Sequence, residues 1–154
     1  MTIVFRHAIA ADVPAIIGLL RDDTLGKTRE MDELAIYHRA FAQMQSEATN
    51  QIIVGDQNDR VIATYQITFI LGLSLKASRR ALIESVRVAR DLRRQGIGKL
   101  MMQDAERRAR EAGCSLIQLT TNQSRDNAHR FYAGLGFTPS HIGFKRVLSD
   151  PEDS

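Results

Sequence analysis

Val86-Arg87-Val88-Ala89-Arg90-Asp91-Leu92-Arg93-Arg94-Gln95-Gly96-Ile97-Gly98-Lys99 decides the fold of this chain. Its first residues alternate as a strand does. Its last ones open a helix, with Ile97, Leu100, Met101, Ala105 and Ala109 on one face and Gly113 as the stop. A glycine-containing turn between a strand and a helix lets backbone N–H groups approach an anion. The helix dipole adds up to about 2 kcal/mol for negative charge, and neighbouring arginines add charge-assisted bonds. The third glycine of a dinucleotide fingerprint and the Gly-Lys-Ser/Thr of a P-loop are both absent, so those two phosphate sites are excluded. The alternative use of the cluster Arg87, Arg90, Arg93, Arg94 and Lys99 is a solvated basic surface.

Upstream of this turn, Ala81 to Val88 reads as a long strand, preceded by a loop over Gly72 to Arg80. Gln51 to Gly55 and Val61 to Ile70 are β-branched and aromatic, and Asp56-Gln57-Asn58-Asp59 between them predicts a hairpin. Leu34, Tyr37, His38, Phe41 and Met44 recur at helical spacing, and Ile3 to Ala8 followed by Asp12 and Pro14 predicts a strand and then a capped helix. Downstream come a buried strand over Ser115 to Thr120, a short helix from about Asp126 to Gly134, and a last strand near Ile142 to Leu148. The order β-α-α-β-β-β-α-β-α-β predicts an α/β domain, a mixed sheet faced by helices, over residues 1–149, with 150–154 a frayed tail.

At 154 residues with 44% hydrophobic side chains the chain has the size and core of one domain. No run approaches the roughly 18 apolar residues of a membrane span, and the start lacks a charged-then-apolar leader, so no membrane partner and a cytoplasmic location are expected. One cysteine and four histidines offer neither a disulfide nor a metal cluster. A net charge of +3 is too mild for a nucleic-acid face.

Arg93, Gly96 and Gly98 resemble the Arg/Gln-x-x-Gly-x-Gly/Ala pyrophosphate loop of the GNAT acetyltransferases. Asp126-Asn127-Ala128-His129-Arg130-Phe131-Tyr132-Ala133-Gly134-Leu135-Gly136-Phe137 is similar to the same family's Ala-x-x-Phe/Leu-Tyr-x-x-x-Gly-Phe segment. The two stand in the right order, one helix and one strand apart. The resemblance is specific from Ile83 to Phe137, and it implies the acyl-CoA N-acyltransferase fold, with acetyl-CoA as cosubstrate. In that fold two adjacent parallel strands, here Ala81 to Val88 and Ser115 to Thr120, splay to admit the pantetheine arm. Implied cofactor-binding residues are Val86, Val88, Arg93, Arg94, Gln95, Gly96, Ile97, Gly98 and Lys99. Many family members carry Asn where this chain has Arg125. Asn122 or Asn127 could replace that contact, or Arg125 could reach a CoA phosphate.

An alkylammonium of pKa near 10.4 is neutral in about one molecule in 2,500 at pH 7, a penalty of about 4.6 kcal/mol before it attacks a thioester. A proton acceptor is needed. Glu84, in phase with Leu82, Val86 and Val88, matches the glutamate that serves as base in many of these enzymes, with an ion pair to Arg87 or another arginine as its alternative use. Tyr132 matches the tyrosine that hydrogen-bonds the departing sulfur, although Ala128, Phe131, Tyr132 and Leu135 also share helical spacing suited to a core. The N–H of Val88 is implied to polarise the acetyl carbonyl. Cys114 reads as a small core residue.

The expected acceptor is a small primary amine, in a pocket built by the first two helices and the loops near Asp22 to Asp32 and Leu71 to Arg80. The acidic residues Asp22, Asp23, Glu30, Asp32 and Glu33 are placed to draw a cation. The stretch from Thr121 to Phe144 is also similar to aminoalkylphosphonate N-acetyltransferases. That would require Arg29, Lys76, Arg79, Arg80 or Arg87 to hold a phosphonate, and it ranks below a generic amine. Competing functions are protein amino-terminal or lysine acetylation and a non-catalytic CoA-binding regulator. A homodimer is the expected assembly.

Overall fold

Among the residues described in a computed structural model of the chain, 2–22 and 33–149, two compact units form, 1–119 and 120–154. The first unit is built on a five-stranded sheet of order β1-β2-β3-β4-β5. Its strands are β1 (Val4–His7), β2 (Asn50–Gln57), β3 (Arg60–Leu71), β4 (Arg79–Val88) and β5 (Cys114–Leu119). The first four run antiparallel to their neighbours, and β5 is parallel to β4. Helices α1 (Val13–Arg21), α2 (Leu34–Glu47) and α3 (Ile97–Glu111) flank the sheet. No helix among the described residues is long and apolar enough to cross a membrane.

The expected hairpin is a two-residue one. Gln57 pairs with Arg60, and Asn58 and Asp59 between them are both left-handed, the conformation whose twist matches that of the flanking strands. Cross-strand partners share a face, so Val54 and Thr64 lie on one side of the sheet and Ile53 and Tyr65 on the other. Val54 joins Val13, Ile16, Ile17 and Phe41 in a core under α1 and α2. Tyr65 lies on the α3 side, where its hydroxyl donates to Asp104 at 2.7 Å.

Asp12 does not cap α1 as expected. Its carboxylate accepts the Ile9 N–H at 2.8 Å and two bonds from Arg6 at 2.7 and 3.0 Å, which tie β1 to the turn after it. The bond to Arg6 outweighs burial and holds the Asp12 carboxyl below its ordinary value.

The second unit contains α4 (Asp126–Gly134). Its stop is a Schellman motif: Phe137 N–H bonds Tyr132 C=O at 3.1 Å, Gly136 N–H bonds Ala133 C=O at 3.1 Å, and Gly136 is left-handed at φ 92°. The Tyr132 and Phe137 rings close the motif edge to face, with centroids 5.8 Å apart. The last strand expected near Ile142 to Leu148 is not formed. A strand needs the edge of another for its backbone bonds, and this unit contains no other strand among its described residues.

Candidate functional site

Pairing between β4 and β5 ends at Ile83↔Leu119, whereas β4 continues to Val88. Beyond Ile83 the β5 side of β4 is without a strand partner among the described residues, because β5 itself ends at Leu119. Across the same stretch Gln66 pairs with Glu84 and Thr64 with Arg87, so the single residue Tyr65 faces the two residues Ser85 and Val86. This is a β-bulge, with Ser85 left-handed at φ 53°.

The bulge corrects the expected phase of Glu84. An unbroken strand would put Glu84 on the face of Val86 and Val88. The extra residue instead leaves Glu84 with Leu82 and Arg87 on the face covered by α1 and α2, and sends the Val88 side chain to the α3 face. Glu84 is exposed, and among the described residues no ion pair holds it. Nothing in the sequence announces the bulge, because Ser85 stands in an otherwise regular strand pattern. For the same reason the shared face of Glu84 and Arg87 was not legible.

Ala89 N–H donates to Ile62 C=O on β3 at 2.8 Å. Successive N–H groups along a strand point to opposite sides, so the N–H of Val88 points away from β3, beyond the last residue of β4 that β5 pairs with. The carbonyl of Val88 points the same way and accepts Arg93 Nε at 3.2 Å. Arg93 also reaches Asp22 C=O at 3.5 Å, and Arg90 pairs with the Asp22 carboxylate at 3.1 Å. Two arginines of the basic cluster thus fasten the turn, while Arg94, Gln95 and Lys99 stay exposed. Asp23, Glu30 and Asp32 of the acidic group, and Arg29, lie outside the described residues.

Gly96 opens α3 at φ 81° and ψ 7°, and its carbonyl accepts the Leu100 N–H at 3.2 Å. A left-handed residue followed by helical Ile97 turns successive N–H groups to one side, and the first helical N–H groups have no partner within the helix. A Cβ added at Gly96 would meet nothing within 4 Å. The arrangement fits a pyrophosphate.

The remaining candidates belong to the second unit. Asn122 Oδ1 accepts the Ser124 N–H at 3.0 Å and its hydroxyl at 2.6 Å, and Asn122 C=O accepts the Arg125 N–H at 3.0 Å. Asn127 is bonded by Arg130. Tyr132 is half-buried, with Phe131 edge-on at 5.1 Å on one side and Phe137 on the other. The tyrosine-to-glycine-phenylalanine spacing is therefore also that of a helix stop. Burial pushes the half-buried Cys114 thiol up, against a smaller opposing effect of Arg79, as suits a packing residue.

The loop over Leu71 to Arg80 sits at the other end of β4, about 30 Å of strand from Val88 at ~3.3 Å per residue. Arg79 bonds Ala112 C=O at 3.0 Å at the end of α3, and Lys76 and Arg80 lie at the same far end. Of the described residues suggested for a phosphonate, only Arg87 is near the bulge.

The sequence profile of the acetyltransferase (GNAT) family matches residues 15–137. The chain belongs to this family. Aminoalkylphosphonate N-acetyltransferase of Salmonella typhimurium is 41% identical over 66 residues, a match that spans 43% of this chain and 43% of that protein. The crystal structure of a transcriptional regulator from Bacillus halodurans C-125 is similar at a TM-score of 0.91 and 39% identity, covering 96% of this chain and 100% of that one. Glucosamine-6-phosphate N-acetyltransferase from Arabidopsis thaliana shares the fold alone, at 18% identity and a TM-score of 0.79, with 97% and 100% covered. The GNAT family accounts for the expected α/β mixed sheet, and among the described residues no group of side chains is arranged for a metal.

Proposed function

We propose that this GNAT protein transfers the acetyl group of acetyl-CoA to the primary amine of a small molecule by direct attack. The observation that carries the reading is the Val88 N–H, turned away from β3 at the end of β4 and upstream of the first N–H groups of α3 at Gly96. Acetyl-CoA supplies an activated thioester and a leaving thiolate. The residues of this chain hold and orient it, through the N–H groups of Gly96 to Lys99 with Arg94 beside them, and through Val86 and Val88 along β4. Val88 N–H stabilises negative charge on the carbonyl oxygen. Glu84 takes the ammonium proton through water on the α1 and α2 face, and Tyr132 donates a hydrogen bond to the sulfur.

A phenol near pKa 10 giving its proton to a thiolate near 8.5 is uphill by about 2 kcal/mol, so Tyr132 acts as a hydrogen-bond donor. Asn122, Arg125 and Asn127 would approach the cofactor arm or a CoA phosphate. A cytoplasmic site of action fits this use of acetyl-CoA. The Salmonella relative supports an amino-compound acceptor, and a phosphonate would fall to Arg87. The regulator from Bacillus halodurans supports a second reading, a CoA-binding protein without turnover.

Release of free thiol from acetyl-CoA by the purified protein, measured across a panel of small amines including aminoalkylphosphonates and polyamines, separates the two. Amine-dependent release at least tenfold over background is expected. Binding of acetyl-CoA without release for any amine would replace the enzyme with the regulator.

A further inference from the structure

We infer that the notch where β1 stops short of the start of β2 is a further ligand site, shaped for a small neutral amide. Strand β2 begins at Asn50, whereas the pairing of β1 ends at His7↔Ile53, and the bond from Ala8 N–H to Ile52 C=O at 2.9 Å is its last link. The chain then turns into a short 3-10 helix, Ala10–Asp12, so β1 puts no residue opposite Asn50. Main-chain groups alternate along this stretch. Thr49 C=O faces β3, where it accepts the Phe69 N–H at 3.3 Å, and Ile52 C=O faces β1, so the N–H and C=O of Asn50 face the notch. Among the described residues β1 offers them no partner, and the buried Oδ1 of Asn50 has none either.

The last turn of α2 closes the notch into a cavity of about 330 Å³. That is near the lower end of the roughly 300–1,000 Å³ of small-molecule sites. Ala8, Phe41, Met44, Ala48 and Ile52 give it apolar walls. Among the described residues no Asp, Glu, Lys or Arg lines it. The His7 side chain, paired with Ile53, belongs to the α3 face, and its Nε2 lies 3.4 Å from Arg108 Nη1. An ion here would lose water to apolar walls and gain no countercharge. A neutral amide loses less, and its C=O and N–H match the N–H and C=O of Asn50 as a neighbouring strand would. Ile52 is separated from Glu84 by Gln66, two strand spacings or about 10 Å, so neither acetyl-CoA nor turnover enters this argument.

Backbone N–H resonances of the full chain, followed by NMR during titration with N-benzylacetamide, test it. Saturable shifts centred on Ala8, Asn50 and Ile52 are expected at millimolar ligand or below. Benzylammonium and phenylacetate keep the ring but carry charge, and each should bind at least tenfold more weakly. N-benzyl-N-methylacetamide lacks the N–H offered to Asn50 C=O and should bind about tenfold more weakly. Met44→Trp fills the cavity from a half-buried helix position and should abolish the shifts. Absence of saturable shifts overturns the inference, and so do shifts centred on residues 84–88 or equal binding of the charged compounds. A folded Met44→Trp with unchanged affinity overturns it as well. Should that variant not fold, the two amides decide on the wild type, where equal affinity removes the pairing with Asn50 and the inference with it.

Discussion

Ser85, left-handed in the middle of β4, is what separates Glu84 from Val88. One extra residue puts the Glu84 and Val88 side chains on opposite faces of a single strand. The Glu84 carboxylate goes to the side of α1 and α2, while the Val88 N–H stays in the plane of the sheet, turned away from β3. If Glu84 relays the amine proton, Glu84→Gln should lower kcat/KM by about a hundredfold at pH 7 and recover as pH rises and more amine is already neutral. A flat pH profile for the ratio of variant to wild type would remove Glu84 from proton transfer. Tyr132→Phe should instead lower kcat about tenfold at all pH values, the cost of one hydrogen bond, with acetyl-CoA affinity nearly unchanged. Melting temperatures recorded beside these rates matter, because the Tyr132 ring also closes the stop of α4. Wild-type turnover with lost stability would make either residue a packing residue.

Among the elements, α4 and α3 show opposite ways of tying a helix down. The stop of α4 depends on Gly136 at φ 92°, where a Cβ is strained but has free space, so Gly136→Ala should cost about 1–2 kcal/mol in chemical denaturation. No loss would mean that the left-handed turn is not populated. Helix α3 is held through Asp104. Burial alone would raise that carboxyl, but bonds from Arg108 at 2.8 Å, Tyr65 at 2.7 Å and Arg107 at 2.8 Å outweigh it and hold it below the ordinary carboxylate value. A group depressed in the folded state contributes stability that is complete above its unfolded value near 4 and is lost as pH falls through the folded value. Thermal stability should therefore fall in acid below about pH 4, and Asp104→Asn should cost about 2–3 kcal/mol at pH 7 while flattening that acid limb. An unchanged acid limb would assign the loss to other carboxylates, beginning with Asp12.

For the whole molecule, family and fold class were legible because two motifs one helix and one strand apart constrain what lies between them. The turn that opens α3 was legible for a local reason, since Gly96 supplies the left-handed residue before the helix. The bulge at Ser85 was not, because strand pairing depends on partners distant in sequence. Nor was the lack of a last strand, since alternation in Ile142 to Leu148 records a strand's composition and not whether an edge receives it. These differences bear on how cofactor binding is tested. The pyrophosphate donors and the end of β4 lie in the first unit, so acetyl-CoA should stabilise that unit directly. At a hundredfold excess over Kd the gain is about 2.7 kcal/mol, or roughly 5–10 °C in melting temperature for a chain of this size. NAD and ATP should give no comparable shift, because the turn lacks the glycines of their motifs. Gly96→Glu sets a negative charge beside the first N–H groups of α3 and forces a left-handed non-glycine residue, so it should abolish the acetyl-CoA shift while lowering the unliganded melting temperature by only a few degrees. Retention of the full shift in that variant would move the pyrophosphate site away from the start of α3, and the assignments of Arg94, Gln95 and Lys99 would fall with it.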